Sequence, residues 1–232
     1  MTFHTRTFAG MSIAAVLAIG IAAPAAQADD YTTLNPTELE QTVLRAQMPT
    51  TLGSWSQNYY FSEKDSRYTR PTLCWDNKGT VKLPAARNMG AVGYAINSNA
   101  SGSVTIYQYA SEAKAQAALA AIRSARCYDS PTVMTDEGDK VPGQSGSDFT
   151  DDSTTGYAAG LSYEQDDKII FDDLITTQRG MAIVQTEVFR ALPSTLTTKQ
   201  QQNAASKNSS VNKAWHTKVL RAYESFGQGR SS

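Results

Sequence analysis

The chain has 232 residues, with 21 Lys and Arg against 22 Asp and Glu, and 41% of its residues are hydrophobic. This length is enough for one domain with its own core, and the hydrophobic content argues against a disordered chain. The near-neutral charge disfavours a strongly basic nucleic-acid binder and an acidic tail protein. We therefore expect one folded domain that does not bind nucleic acid.

The first 28 residues have the organisation of a secretory signal peptide. Arg6 precedes the apolar run 11–23, which is shorter than the roughly 20 residues that a membrane-spanning helix needs. Residues 26–28 (Ala-Gln-Ala) then form a small-x-small cleavage site. We expect cleavage after Ala28 and a secreted, extracellular domain of residues 29–232 with no membrane span.

The chain has two cysteines, Cys74 and Cys127. In an oxidising compartment they are expected to form one disulfide, which would stabilise the fold by roughly 4 kcal/mol in the loop-closure model. The alternative is a reactive thiol or a metal-binding pair, and the wide spacing disfavours both.

The first predicted element of the secreted chain is a helix that begins after Asn35. Asn35 is a favourable N-cap, Pro36 suits the first turn, and Glu38 interacts well with the positive end of the helix dipole. Two aromatic-rich stretches follow, at 55–61 and 68–75, and their composition favours β-strands.

A β-hairpin and a second helix are predicted next. Residues 91–96 and 103–109 alternate between apolar and polar side chains, and the turn-forming sequence NSNASG lies between them. Ser111 then begins an Ala-rich helix that continues to about residue 125. We place this helix over the aliphatic face formed by Val104 and Ile106.

The second half of the chain is predicted to hold a polar loop, a three-stranded meander and a closing helix. The segment before the closing helix is low in apolar residues and is interpreted as a frayed helix or linker. In chain order the segments are 136–156 (loop), 157–163, 168–176 and 181–189 (strands), 199–210 (low complexity) and 211–226 (helix). The predicted fold class is α+β: an antiparallel β-sheet packed against an Ala-rich helix and a C-terminal helix, with one disulfide.

The sequence lacks the common catalytic, cofactor and metal motifs. His216 is the only histidine after the signal peptide, and no P-loop or Rossmann glycine pattern occurs. We therefore assign no catalytic residue and no cofactor. Asp148, Asp151 and Asp152 are a weak candidate calcium site, because calcium takes six to eight oxygen ligands. A solvated acidic loop is the alternative.

Carboxylates keep a hydrolase open as an alternative function. A glycosidase uses two carboxyl groups about 5 to 9.5 Å apart across a cleft, and a sequence does not give that distance. Asp172 and Asp173 are interpreted as the edge of a strand.

Aromatic residues in the first half give the candidate ligand site. Tyrosine suits surfaces that are partly apolar and partly wet, including binding grooves. The alternative is that this face packs under a helix. The candidate ligand-binding residues are Trp55, Tyr59, Thr105, Tyr107 and Tyr109.

Two parts of the chain resemble the PknH-like extracellular sensor-domain family, found in secreted proteins, lipoproteins and kinase ectodomains of actinobacteria. One is the strand VTIYQY at 104–109, followed by Ser111 and an Ala-rich helix ending at Cys127. The other is DDLITTQRGMAIVQTEVF at 172–189, with its Arg-Gly turn, before a C-terminal helix. The resemblance covers about residues 36–226. It implies an α+β sheet with a groove for an unknown extracellular ligand, and it carries over no catalytic residue.

We therefore expect a secreted, non-enzymatic binding or sensor-like module. Its partner would be an unknown small molecule or a component of the cell envelope, and the protein would be a monomer. A secreted hydrolase with unrecognised carboxylates is the alternative, and a structural cell-envelope protein is the second alternative.

Overall fold

The fold was analysed in a computed structural model. It describes residues 33–64, 83–97, 99–124, 132–134, 140–142, 145–151, 154–165 and 167–228. The predicted signal peptide, the aromatic stretch 68–75 and both cysteines lie outside these residues.

Among these described residues, seven antiparallel strands form the main sheet, in the order β1-β2-β3-β9-β8-β7-β6, and two short strands pair separately as β4-β5. The predicted hairpin is confirmed as β2–β3, and the predicted meander is confirmed as β7–β8–β9. Pairing between β3 and β9 joins these two units into one sheet. The strands are β1 (Ser56–Lys64), β2 (Asn88–Asn97), β3 (Ala100–Gln108), β4 (Thr132–Met134), β5 (Lys140–Pro142), β6 (Ser145–Asp151), β7 (Thr154–Gln165), β8 (Lys168–Arg179) and β9 (Ala182–Pro193).

In the part of the chain that the structure describes, three α-helices flank the sheet, and the first begins as its sequence predicts. The Asn35 side chain accepts a hydrogen bond from the Glu38 backbone at 3.0 Å, and Glu38 accepts one from the Asn35 backbone at 2.8 Å. This reciprocal pair satisfies two backbone donors that the helix leaves open. The helices are α1 (Pro36–Arg45), α2 (Glu112–Ser124) and α3 (Thr198–Gln228), and a 3-10 turn covers Thr50–Leu52.

Two segments are more regular than predicted. The expected loop 136–156 contains β5, β6 and the start of β7, because pairing of β6 with β7 satisfies the backbone of this polar sequence. The low-complexity segment 199–210 belongs to α3. Its polar side chains hydrogen-bond to the sheet, so helical structure here comes from tertiary contacts rather than from an apolar stripe.

The main core lies between one sheet face and the helices α1 and α3. Trp215 is fully buried there and donates a hydrogen bond from Nε1 to the Ala46 carbonyl at 2.6 Å. These side chains approach the strands so closely that some strand positions must be glycine. A Cβ at Gly102 would lie within 3.0 Å of side-chain atoms of Met48 and Trp215. Fully burying each large apolar side chain contributes about 1.5–3 kcal/mol. The buried core residues include Leu39, Val43, Met48, Val92, Tyr94, Val104, Ile106, Val184, Val188, Trp215, Val219 and Tyr223.

The second core lies on the opposite sheet face, under α2. The prediction that α2 covers Val104 and Ile106 is therefore wrong. The larger apolar side chains of α3 already occupy the aliphatic face, so the small face of α2 packs instead on Tyr107 of β3 and on Tyr109, which directly follows β3. The residues of this second core include Met89, Tyr107, Tyr109, Ala115, Ala118, Leu119, Ile122 and Ile183. No helix in the described part of the chain combines the length and apolar character that a membrane crossing requires.

Candidate functional site

A cleft of about 290 Å³ lies between α3 and the strands β7 and β8. Small residues open it: Ala158 and Gly160 on β7 line the cleft, and larger side chains at these two positions would fill it. The apolar lining is Ala158, Gly160, Leu174 and Ile175, and the polar lining is Asp173, Ser209, Asn212 and Lys213.

Asp173 is the half-buried acid of this cleft. Its Oδ2 accepts a hydrogen bond from Asn208 Nδ2 at 2.5 Å, and its Oδ1 accepts one from the Ser209 hydroxyl. Burial raises the pKa of Asp173, while the hydrogen bonds from Ser209 and Asn208 lower it. Among the described residues this carboxylate has no ion-pair partner. Its charge is thus available to a ligand.

Two asparagines of α3, Asn208 and Asn212, are fully buried beside Asp173. Asn212 Nδ2 donates to the Asp173 carbonyl at 2.7 Å and to the Thr186 carbonyl at 3.3 Å. Asn208 Nδ2 donates to the Val188 carbonyl at 2.8 Å as well as to Asp173. Carbonyls only accept, so these contacts fix the orientation of both amides.

Both amide oxygens are consequently left open. Within the described part of the chain, neither Asn208 Oδ1 nor Asn212 Oδ1 has a hydrogen-bond partner. A buried acceptor without a partner costs about 1–3 kcal/mol. Asn212 is one of the residues that line the cleft, so its open acceptor lies beside the space that a ligand would occupy.

His216 lies one helical turn beyond Asn212 and points into the same interface. Its Nε2 and Nδ1 each lie 2.9 Å from a threonine hydroxyl, of Thr177 and Thr186 respectively. Burial lowers the pKa of His216 to about 3, so the ring is neutral. It is only 4% exposed. The packed role considered from the sequence fits this environment, and a substrate has no access to the ring.

A second acidic cluster lies on the α2 side of the sheet. Asp172 is 4% exposed and shares a hydrogen bond with Glu187, which also accepts one from the Ser103 hydroxyl at 3.1 Å. Burial raises the pKa of both carboxyls, and the charges of Glu187 and Asp173 raise that of Asp172 further. Each of the two carboxyls therefore keeps its proton to a higher pH than a solvated carboxyl does.

The acids of β8 differ from their predicted position. Asp172 and Asp173 lie in the interior of β8, which pairs with β7 on one side and β9 on the other, and not at the edge of a strand. They point to opposite sheet faces, so they do not face one another across a cleft. Asp172 and Glu187 are in direct contact, which leaves no room for the substrate that a glycosidase holds between its carboxyls.

The five predicted ligand-binding residues do not share one groove. Tyr107 and Tyr109 are 3% and 1% exposed beneath α2, with the half-buried Thr105 on the same face. Trp55 lies on the opposite face, where it packs edge-on against Tyr94 at a ring separation of 4.7 Å. Of Tyr59 only the backbone is described. Ligand binding by any of them stays a prediction.

The candidate calcium residues are only partly described. Asp148 and Asp151 belong to strand β6, not to a loop, and Asp152 lies outside the described residues. In the described ranges no group of three or more His, Cys, Asp and Glu side chains could hold a metal ion. Calcium binding at these residues stays a prediction.

Sequence reasoning missed the polar residues of the cleft. Asn208 and Ser209 fall in the segment interpreted as low complexity, and Asp173 was assigned to a strand edge. One signal was present: Asn208, Asn212 and His216 are spaced by four residues, which places them on one face of a helix. A polar row on a helix beside an apolar seam predicts contact with a polar part of the sheet.

Comparison with solved structures gave loose structural similarity. No protein-family model matches the chain, and no curated protein matches it. The crystal structure of the extracellular domain of PknH from Mycobacterium tuberculosis aligns with 10% sequence identity and a TM-score of 0.46. The alignment covers 83% of this chain and 92% of that one.

Proposed function

We propose that the protein is an extracellular, sensor-like binding module that takes a small ligand into the cleft between α3 and β7–β8. The observation that carries this proposal is Asn212 Oδ1, a fully buried acceptor without a described partner at the wall of an open cleft. Proteins pair nearly all buried polar atoms, so an exception beside a cleft supports a ligand contact. The predicted signal peptide supports an extracellular location.

Binding without turnover is supported by the state of the titratable groups. His216 is neutral and enclosed between two threonines, so it is poorly placed to exchange protons with a ligand. Asp172 and Glu187 bind each other on the far side of the sheet. Asp173 is the acid that reaches the cleft, and general acid–base chemistry usually needs a second positioned group.

The test is native mass spectrometry of the exported protein purified from its native host. The wild-type chain should carry a small molecule, and Ala158→Phe should lose it because the new ring fills the cleft. Ala113→Phe, on the exposed side of α2, is the matched control and should keep the molecule. Circular dichroism checks that both variants fold. A wild-type protein with no bound molecule, or equal occupancy in Ala158→Phe, would overturn the proposal.

A further inference from the structure

We propose that the ligand of this cleft is a small zwitterion with an aliphatic body, whose ammonium group contacts Asp173 and Asn212 and whose anionic group faces Lys213. This inference rests on the proposed function and adds the chemical class of the ligand.

The inner end of the cleft offers acceptors. Asn212 Oδ1 has no partner in the described ranges, and each oxygen of Asp173 has accepted a single hydrogen bond. Ser209 gives its hydroxyl proton to Asp173, so its oxygen can only accept further bonds. An ammonium group brings three donors to such a site, whereas a hydroxyl brings one.

The negative charge of Asp173 also favours an ammonium group over a hydroxyl. Asp173 is half-buried, and its carboxylate accepts hydrogen bonds from Asn208 and Ser209, but no described cation pairs with it, so the charge itself is not neutralised. A bound ammonium group neutralises this charge and makes charge-assisted hydrogen bonds, which are the strong ones. A neutral sugar or alcohol would leave the charge uncompensated.

The outer end of the cleft carries the opposite charge. Lys213 is exposed at the rim, and it forms no ion pair with Asp173 or with any other described acid. The two charges are therefore more than 4.0 Å apart and can bind two ends of one molecule. Between them, Ala158 and Ile175 supply an apolar wall. A volume of about 290 Å³ suits a molecule of the size of an aliphatic amino acid.

Three probes share one carbon skeleton and differ in their charged groups, so they test the two charges of the ligand one at a time. Leucine carries both charged groups. Leucinamide lacks the carboxylate, and 2-hydroxy-4-methylpentanoate lacks the ammonium group. Isothermal titration and ligand-observed NMR with the full secreted chain measure their binding. Leucine should bind most tightly. The hydroxy acid should bind about 10- to 100-fold more weakly, because it loses charged hydrogen bonds. Leucinamide should bind a few-fold more weakly, since Lys213 is exposed.

Two variants assign the charges to residues. Asp173→Asn should weaken leucine binding at least tenfold but keep the fold, since the Ser209 hydroxyl can turn to accept from the new amide while Asn208 still donates to its oxygen. Lys213→Ala should make leucine and leucinamide bind equally. Lys207→Ala, another exposed lysine of α3, is the matched control and should change neither.

The outcomes distinguish this inference from the proposed function. Equal binding of the hydroxy acid and leucine, or wild-type affinity in Asp173→Asn, overturns the zwitterion. If the probes bind the wild type but not Ala158→Phe, the cleft remains a binding site even though the ligand is not a zwitterion. If none of the three probes binds, the zwitterion is also overturned, and occupancy of wild type against Ala158→Phe in native mass spectrometry decides the function separately.

Discussion

At the scale of single residues, the contact of α3 with the sheet depends on a row of buried polar side chains. Asn208, Asn212 and His216 follow one another at successive turns and bond to β8 and β9. Each loses hydration on burial, and hydrogen bonds to the strands offset that loss. The two asparagine oxygens have no hydrogen-bond partner within the described residues, so the offset is incomplete there, and one of the two residues, Asn212, lines the cleft.

His216 gives a prediction at this scale, because burial lowers its pKa to about 3. Between pH 6.5 and pH 3 the unfolded chain binds a proton at this position that the folded chain does not, so the free energy of unfolding falls as the pH falls. One proton changes this free energy by about 1.4 kcal/mol per pH unit, or about 2 kcal/mol from pH 6.5 to pH 5. Urea unfolding measures it.

The matched variant is His216→Gln, which cannot titrate. Asp172, Asp173 and Glu187 have raised pKa values, so they stabilise the fold as the pH falls, and they do so in both proteins. The difference in unfolding free energy between wild type and variant therefore isolates His216. We expect the free energy of unfolding of the wild type, relative to that of the variant, to fall by about 2 kcal/mol between pH 6.5 and pH 5. A difference that stays constant over this range would contradict the buried neutral ring.

At the scale of elements, α1 lies so close to β2 that the strand needs a glycine. A Cβ at Gly90 would sit 2.9 Å from Leu39 Cβ and 3.0 Å from the Leu39 backbone carbon. A helix backbone cannot move aside as a flexible side chain can. Gly90→Ala should therefore lower the free energy of unfolding by about 1–3 kcal/mol, as overpacked cores do.

Gly160→Ala is the control for that substitution. It is also a strand glycine, but its new Cβ would lie 3.4 Å from Asp173 Oδ1, an ordinary contact. We expect its free energy of unfolding to stay within about 0.5 kcal/mol of wild type. Chemical denaturation compares the two variants, and equal loss of stability in both would show that α1 does not press on β2 as described.

Local signals were sufficient for some elements and insufficient for others. The Asn35 cap, the β2–β3 hairpin and the meander of β7, β8 and β9 follow from capping, alternation and turn residues, which act within a few positions. The N-terminal third of α3 could not be found in this way, because the partners of Asn208, Asp173 and Val188, are 35 and 20 residues away in the sequence. Such contacts override local propensity.

At the scale of the whole molecule, the sheet separates two hydrophobic cores, one on each face. The sequence predicts the residues of each face but not the helix that covers it. Alternation along β3 predicted which side chains share a face, and both faces exist as expected. It could not predict which helix covers which face, because that choice depends on the volumes of α2 and α3 together. The cleft has the same origin: α3 packs on β8 and β9, the small residues Ala158 and Gly160 of β7 leave space beside it, and no local sequence pattern predicts that arrangement.

The most direct test of the central claim is a crystal structure of the exported protein purified with its ligand. We expect electron density for a small molecule in the cleft, with a donor within hydrogen-bond distance of Asn212 Oδ1 and the Asn212 amide still donating to the carbonyls of Asp173 and Thr186. Ligand density elsewhere, or an Asn212 oxygen satisfied by the protein itself in a closed cleft, would contradict the account.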